Sequence, residues 1–174
     1  MELREQKPDD LPGIERLMEA AFGAGRSERT VWRLRPGPPV PGLCLVAEEA
    51  GELVGSLRFW QVRIFDRPHL LLGPLAVRPD LRGKGYGKAL VRQGLGIASQ
   101  GIWGLCVISG EPDYYPRFDF QPVPPGQLIW PGFLEPERLQ IRELKAGALA
   151  GMPAGPAAIL PDPGPPFSLK DSVR

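Results

Sequence analysis

The residues most suited to chemistry lie in one glycine-rich turn, residues 82–87, which reads Arg-Gly-Lys-Gly-Tyr-Gly. A turn of this kind that opens a helix presents several unpaired backbone N–H groups in one direction, and the helix dipole adds partial positive charge there. Phosphate and pyrophosphate groups bind at such helix starts. Arg82, Lys84 and Lys88 add charge around the same turn. The pattern therefore predicts a phosphate-binding turn.

Two common phosphate motifs do not fit this turn. A Walker A loop needs glycine at position 82 and Ser or Thr at position 89, where this chain has Arg and Ala. A dinucleotide fingerprint that starts at Gly83 or Gly85 lacks its third glycine. The pattern that does fit is Arg-x-x-Gly-x-Gly, with Arg82, Gly85 and Gly87 at its fixed positions.

The elements around the turn are those that such a site needs. An apolar run over residues 69–77 predicts a buried strand before it, and apolar residues at helical spacing over 88–100 predict a helix after it. A second apolar run, residues 102–108, predicts the next strand. We expect Gly73-Pro74 to mark a bulge in the first of these strands, because proline removes a ladder donor and glycine is common at bulges.

The stretch LAVRPDLRGKGYGKAL, residues 75–90, resembles the acyl-CoA-binding motif of the GNAT superfamily of N-acetyltransferases. The resemblance implies that backbone N–H groups of Leu75 and Val77 face the pantetheine amides and the thioester carbonyl. It implies that the turn holds the pyrophosphate of acetyl-CoA, with no metal. Arg78 is a candidate for the adenosine 3′-phosphate or for an ordinary surface charge. The residues assigned to the cofactor are Leu75, Ala76, Val77, Arg82, Gly83, Lys84, Gly85, Tyr86, Gly87, Lys88 and Ala89.

A second motif, Tyr-Tyr-Pro-Arg-Phe-Asp-Phe at residues 114–120, resembles a GNAT subgroup known as predicted N-acetyltransferases. The resemblance makes Tyr115 the general acid, which protonates the departing CoA thiolate, and leaves Tyr114 to packing. A hydroxyl with a pKa near ~10 can protonate a thiolate whose conjugate acid has a pKa near ~8.5 when it is held at the sulfur. The family has Gly where this chain has Asp119, and Asp tolerates a left-handed backbone better than most residues.

The order of predicted elements is that of the GNAT fold. It implies an α+β, three-layer domain over residues 1–150, with a mixed, mostly antiparallel sheet of six to seven strands, about four helices, and the fourth and fifth strands splayed apart. A helix capped by Asp9 or Asp10 runs to Phe22, and a second, capped by Ser27, runs to Leu34. A hairpin joins 43–48 to 53–64. The Pro-rich segment 151–174 is expected to be an extended or disordered tail.

Composition excludes several other functions. The net charge is +1, from 21 basic and 20 acidic residues, so a nucleic-acid partner is not expected. No apolar stretch is long enough for a membrane span. Cys44 and Cys106 read as buried thiols, which favours the cytoplasm, and the single histidine, His69, cannot build a metal site. The basic residues of the segment 29–35 are interpreted as a solvated helix face.

We therefore expect an N-acetyltransferase that moves an acetyl group from acetyl-CoA to a primary amine by direct attack in a ternary complex. The acceptor is a small molecule or a peptide, and a homodimer is possible. The alternative is a non-catalytic CoA-binding or regulatory module. The general base is left open among several candidates, and Trp32, Trp60 and Trp130 are expected to pack or to line the acceptor pocket. The candidate bases are Glu48, Glu49, Asp66, His69 and Glu111.

Overall fold

A computed structural model describes residues 1–23, 29–162 and 166–167. The two α-helices are α1 (Leu11–Phe22) and α2 (Tyr86–Ala98). The strands are β1 (Glu2–Glu5), β2 (Cys44–Glu49), β3 (Glu52–Ile64), β4 (Arg67–Val77), β5 (Leu105–Ser109), β6 (Gln121–Pro122), β7 (Leu128–Ile129), β8 (Leu139–Glu143), β9 (Ala157–Ala158) and β10 (Leu160–Pro161). Short 3-10 helices span Pro8–Asp10, Thr30–Leu34, Pro79–Leu81, Tyr115–Phe118 and Pro136–Arg138.

One eight-stranded sheet carries the fold, in the order β1-β2-β3-β4-β5-β8-β6, with β10 added to β3. Every pair in it is antiparallel except β4 with β5, which is parallel. The β2–β3 hairpin turns at Ala50 and Gly51, which both have positive φ (51° and 80°), as tight hairpin turns require. The predicted mixed, mostly antiparallel sheet of the GNAT fold is confirmed.

The parallel strands β4 and β5 meet over a short length only. Their register joins Leu70 to Cys106 and Leu71 to Val107, whereas β4 continues to Val77 along β3. On the β3 side, a single residue, Arg58, lies opposite the two residues Gly73 and Pro74, which is a β-bulge at the predicted position. Beyond Leu71 the strands therefore separate, and a gap opens between them.

Each α-helix buries one apolar face against the sheet. In α1, Ile14, Leu17 and Met18 are buried in a cluster with Val46 and Ala76. In α2 the buried face includes Leu90, Val91 and Leu95, which pack with Phe59 among others. Gly94 lies so close to this ring that an added Cβ would come within 2.7 Å of Phe59 Cε2. The close approach of α2 to β3 fixes the position of its first turn.

The entry to α1 is held by charge rather than by a helix cap. Asp10 stands at the N-cap position, as predicted, but its carboxylate makes no capping bond to α1. It accepts instead from the Lys7 backbone N–H (2.7 Å) and from two nitrogens of the Arg4 guanidinium (2.7 and 2.9 Å). Arg4 also pairs with Glu48. This partly buried network ties the start of α1 to β1 and β2.

The helical layer is thinner than the sequence indicates. In the described part of the chain only α1 and α2 are α-helices, and the predicted second helix is the 3-10 segment Thr30–Leu34, while Ser27 lies outside the described residues. The strand predicted over 102–108 begins at Leu105. The Trp103 ring folds back against Gly101 and its Nε1 donates to Gln61 Oε1 (3.0 Å), which bends the chain before the strand.

The Pro-rich segment is extended over 157–161 and packs on the domain. Ala157 and Ala158 pair with β7, while Leu160 and Pro161 pair with Arg63 and Val62 of β3. Ile159, between the two strands, is 1% exposed. The packed structure thus continues past residue 150.

Candidate active site

A cleft of about 380 Å³ opens at the N-terminus of α2. Most of the residues predicted to bind the cofactor line it, namely Leu75, Val77, Arg82, Gly83, Gly85, Tyr86, Gly87 and Lys88. The side chain of Ala76 points elsewhere, into the cluster under α1, and Lys84 and Ala89 do not line the cleft. Four further lining residues were not predicted: Ala21 and Phe22 belong to no motif, while Leu81 and Tyr114 lie inside the two motifs but were not assigned to the cofactor.

The first turn of α2 supplies free donors to the cleft. Gly85 is the N-cap with φ +95°, a left-handed conformation that glycine adopts without strain. The first helical bond runs from the Ala89 N–H to the Gly85 carbonyl (3.0 Å), so the Ala89 amide is engaged within the helix. The N–H groups of Tyr86, Gly87 and Lys88 precede that bond and have no intrahelical acceptor. They are the donors that this helix start offers to a ligand.

Backbone donors of β4 also face the gap. The Arg78 N–H donates to the Val54 carbonyl of the neighbouring chain segment (2.8 Å), and the register pairs Ala76 with Ser56. Because N–H groups alternate in direction along an antiparallel strand, those of Leu75 and Val77 point away from β3. On that side β5 pairs with β4 only at Leu70 and Leu71. These two N–H groups are therefore directed into the gap between the strands.

Space and charge in the cleft suit a polyanion. An added Cβ on Gly83 or Gly85 would meet no atom within 4 Å, so the mouth is not plugged by side chains. At Gly87 the same atom would come to 3.2 Å from Tyr114 Oη, so glycine allows a close approach there. Arg82 and Lys88 line the cleft as exposed cations. Arg78, by contrast, is held by Asp80 (2.7 Å) and Glu52 (3.1 Å).

The gap between β4 and β5 ends in a smaller, inner cavity of about 70 Å³. Its walls are Leu72–Leu75 of β4, Ile108 and Ser109 of β5, Tyr115, and residues of α1 and of the segment 29–35. Phe22 and Leu75 line both the inner cavity and the outer cleft. The cleft at the start of α2 and the inner cavity therefore lie side by side along β4.

Tyr115 and Tyr114 stand at the junction of the two spaces. Tyr115 lines the inner cavity and Tyr114 the outer cleft, with ring centroids 5.0 Å apart in a T-shaped contact. Tyr115 is buried against Phe118 and Phe120. Burial raises the pKa of the Tyr115 hydroxyl well above its ordinary value, so it keeps its proton at neutral pH. Asp119, which closes the short helix after it, adopts the left-handed conformation (φ 65°) foreseen for this position.

The outer end of the inner cavity is lined by cations. Arg29 and Arg35 both border it, and Trp32 lies between them. The interpretation of this segment as a solvated face is right for Arg29 and Arg33, which are exposed, and wrong for Arg35, whose Nε is buried. Arg35 is turned inward because its guanidinium stacks on the Trp32 ring, 4.7 Å from the centroid. Trp60 and Trp130 instead belong to the core.

None of the candidate bases borders the inner cavity. Glu111 lines the outer cleft and pairs with Arg138 (3.1 Å). His69 is buried on another face, where its Nδ1 accepts the Leu105 N–H (3.2 Å), and burial lowers its pKa to about 4. Glu48 pairs with Arg4, Glu49 accepts the Tyr86 hydroxyl (2.9 Å), and Asp66 lies in an exposed turn. Among the described residues, the inner cavity is lined by no carboxylate.

Residues 11–110, more than half of the chain, match the Acetyltransferase (GNAT) family. The chain belongs to this family. It is 28% identical over 156 residues to the N-acetyltransferase YhbS of Escherichia coli K12, which covers 87% of this chain and 92% of that protein. It is 32% identical over 119 residues to YjhQ of the same organism, which covers 65% of each chain.

Solved structures agree with this assignment. The crystal structure of E. coli YhbS in complex with CoA superposes with a TM-score of 0.75 at 29% identity, over 91% of this chain and 88% of that one. A GNAT acetyltransferase from Brucella melitensis in complex with acetyl-CoA superposes with a TM-score of 0.67 at 28% identity, over 90% and 94% of the two chains. The protein is therefore a GNAT-family N-acetyltransferase.

Residues 1–23, 29–162 and 166–167 contain neither a candidate membrane span nor a candidate metal site. No helix there is long and apolar enough to cross a bilayer. No group of three or more His, Cys, Asp and Glu side chains in those ranges is placed to hold a metal ion. Cys44 and Cys106 are both buried free thiols.

Proposed function

We propose that this protein transfers an acetyl group from acetyl-CoA to a primary amine by direct attack within a ternary complex. The observation that carries the proposal is that the cleft at the open start of α2 and the inner cavity beside Tyr115 adjoin along β4, where Phe22 and Leu75 line both. In this proposal the amides of Tyr86, Gly87 and Lys88 hold the pyrophosphate, assisted by Arg82 and by the helix dipole. The acyl end of the cofactor then lies in the inner cavity.

The acyl-transfer step uses backbone and side chain together. Attack of the amine on the thioester carbonyl forms a tetrahedral oxyanion, which the Leu75 N–H stabilises, while the Val77 N–H binds a pantetheine amide further out. One such backbone donor contributes roughly 3–4 kcal/mol where it has been measured in other enzymes. When the C–S bond breaks, the Tyr115 hydroxyl gives its proton to the CoA thiolate, and the proton that the acylated nitrogen loses to solvent balances the one that Tyr115 takes back from solvent. Burial raises the pKa of Tyr115, so the hydroxyl carries its proton at neutral pH when the C–S bond breaks.

Direct attack is favoured over a covalent acyl-enzyme. Neither cysteine lines the inner cavity, and burial raises the pKa of Cys44 to about 11 and that of Cys106 further. Ser109 does line it, but no histidine or carboxylate borders the same space among the described residues. A nucleophilic serine needs such a base beside it. The acceptor amine is thus the remaining nucleophile.

The amine must lose its proton before it attacks. No carboxylate of the described residues lines the inner cavity, so in this proposal the cavity itself lowers the pKa of the bound ammonium, since apolar walls and neighbouring cations both disfavour the charged form. Val31, Trp32 and Leu72 supply the apolar wall, and Arg29 and Arg35 supply the charge. The proton leaves toward solvent through the open side of the site.

The test combines binding with turnover. Calorimetry should show CoA binding, and thiol release from acetyl-CoA should depend on an amine from a broad panel. We expect Tyr115→Phe to lower kcat by ~10²–10⁴-fold, the range of general acid–base catalysis, while the CoA Kd changes little. Tyr114→Phe is the matched comparison and should raise the KM for acetyl-CoA more than it lowers kcat.

The alternative, a non-catalytic CoA-binding module, draws support from the observation that no carboxylate of the described residues lines the inner cavity. Tight CoA binding without acceptor-dependent thiol release across the panel would favour that module. Equal kcat values for wild type and Tyr115→Phe would remove Tyr115 from the mechanism. The two free, buried thiols are compatible with the cytoplasm, where we expect the protein to act.

A further inference from the structure

Arg35 is a half-buried cation that has no carboxylate partner among the described residues. Its Nε is buried and has no hydrogen-bond acceptor, and no carboxylate of the described residues forms an ion pair with its guanidinium. Burial, with a contribution from the nearby charge of Arg29, lowers the pKa of Arg35 to about 9, so the group still carries its charge at pH 7. A buried charge without a partner costs stability, so it calls for an explanation.

Three other arginines of the fold, Arg4, Arg78 and Arg138, show one kind of structural role. Arg4 pairs with Asp10 and Glu48, Arg78 with Asp80 and Glu52, and Arg138 with Glu111. Each of these guanidinium groups finds at least one carboxylate. Arg35 instead rests on the face of Trp32, and Arg29 lies over the Phe22 ring, 5.8 Å from its centroid. A cation–π contact fixes a guanidinium in place and leaves its N–H donors, which lie in the guanidinium plane, free to bind an acceptor.

The guanidinium of Arg35 borders the inner cavity, where acyl transfer is proposed to occur. Its Nη2 would lie 3.1 Å from a Cβ built on Gly73, the bulge residue at the β4 side of the inner cavity. Arg29 and Arg35 both line that cavity, together with Tyr115 and Ser109. No acidic residue lines it among the described residues. The space where the amine must sit is therefore positive on one side and apolar on the other.

We propose that the acceptor is a small amino-carboxylate, such as an amino acid, whose carboxylate is bound by Arg35 with support from Arg29. This inference rests on the proposed acetyl transfer and names its substrate class. The planar fork of an arginine matches the two oxygens of a carboxylate. The same two cations disfavour polyamines and other acceptors that carry several positive charges. A carboxylate at this point supplies the partner that Arg35 lacks within the protein.

The first experiment needs no turnover. Calorimetry measures the binding of reaction products to the complex of the protein with CoA. N-acetyl amino acids are compared with the corresponding N-acetyl amino acid methylamides. The two ligands of each pair differ in the carboxylate. We expect the carboxylate form to bind ~10–100-fold more tightly to the wild type, the range for hydrogen bonds to charged groups. In Arg35→Met we expect this preference to be lost, and in Arg35→Lys to be reduced.

Arg33→Met is the matched control, since it removes a cation of the same short helix that is exposed and donates to the Pro131 carbonyl (3.1 Å). It should keep the preference for the carboxylate form. Thermal unfolding separates function from structure. If Arg35 serves a ligand, Arg35→Met should unfold at the wild-type temperature or above it, because an unpartnered buried charge is removed. A clear fall in Tm would assign Arg35 to the architecture and overturn the proposal.

The second experiment uses turnover with amino acids and with the amines that lack only their carboxylate. Preference for the amino acid, abolished in Arg35→Met by a rise in KM, supports the proposal. Equal rates for both members of each pair would overturn the substrate class while the acetyltransferase activity stands. Absence of any acceptor-dependent release would instead contradict the proposed function, and the product-binding comparison would still decide the role of Arg35.

Discussion

The outer cleft and the inner cavity adjoin, but different chemical groups line them. The cleft offers backbone N–H groups of α2 and β4 to its ligand, and side chains only assist. The inner cavity offers side chains, from α1, from the segment 29–35, from β5 and from Tyr115. A backbone site depends on a short contiguous motif, whereas a side-chain site depends on residues far apart in the chain. In a GNAT enzyme the residues expected to bind the cofactor can therefore be predicted from a sequence motif, whereas those expected to bind the acceptor cannot.

The largest expected separation of the two regions comes from Gly73→Val. Gly73 has φ +117°, which a β-branched residue does not adopt without strain, and the new side chain would meet Arg35. Strained backbone of this kind costs about 1–3 kcal/mol, which corresponds to roughly 5–150-fold. We expect kcat/KM for the acceptor to fall by that factor while the CoA Kd stays within a few-fold. Equal losses at both ends would show that the regions are not independent.

Gly85→Ala should affect the other region. An alanine at φ +95° costs roughly 1–2 kcal/mol, and it turns the first amides of α2 away from their common direction. We expect the CoA Kd to rise by about 5–30-fold. Gly96→Ala is the control, because an added Cβ also meets no atom within 4 Å there but the residue lies inside α2. This variant should bind CoA as the wild type does and be somewhat more stable.

The smallest expected effect concerns α1, which the two regions share as a wall. The Arg4 guanidinium lowers the pKa of Asp10 from 3.8 to about 2. The stabilisation of the folded protein by the Arg4–Asp10 pair is thus complete above about pH 4 and is lost as the pH falls through 2. Allowing for solvent screening, we expect about 1 kcal/mol at neutral pH. In urea unfolding at pH 6, the free energy of unfolding of the wild type should be higher than that of Asp10→Asn by this amount. The difference should shrink toward pH 2. A difference that does not depend on pH would contradict this assignment.

The sequence predicted the fold well where apolar periodicity and turn residues agree. The β2–β3 hairpin, the bulge at Gly73-Pro74 and the buried faces of α1 and α2 all follow from local pattern. The start of β5 was predicted three residues too early, because the fold of Trp103 onto Gly101 and Gln61 is a tertiary contact without a local signal. The short strands β7, β9 and β10 were not predicted, because a strand of two residues is too short to show a periodic pattern of apolar residues.

The candidate site also contains residues that a local motif predicts and residues that depend on tertiary contacts. The Gly-rich turn and the direction of the Leu75 and Val77 amides follow from strand alternation and helix geometry, which the motif encodes. Arg35 was misread because a row of arginines in one segment is typical of a solvated surface. What turns Arg35 inward is the aromatic face of Trp32 and the missing Cβ at Gly73, and Gly73 is far from Arg35 in the sequence. The aromatic residue three positions before the arginine was the one signal available.

The strand β10 has a consequence for association between copies of the chain. β2 accompanies β3 only as far as Arg58, so the distal half of β3 would otherwise be an open edge with unpaired amides. Leu160 and Pro161 cover that edge at Arg63 and Val62, and the proline cannot donate a further ladder bond outward. Removal of the residues after 150 would therefore uncover a template for intermolecular β-pairing, and a shortened chain should be the more prone to aggregate.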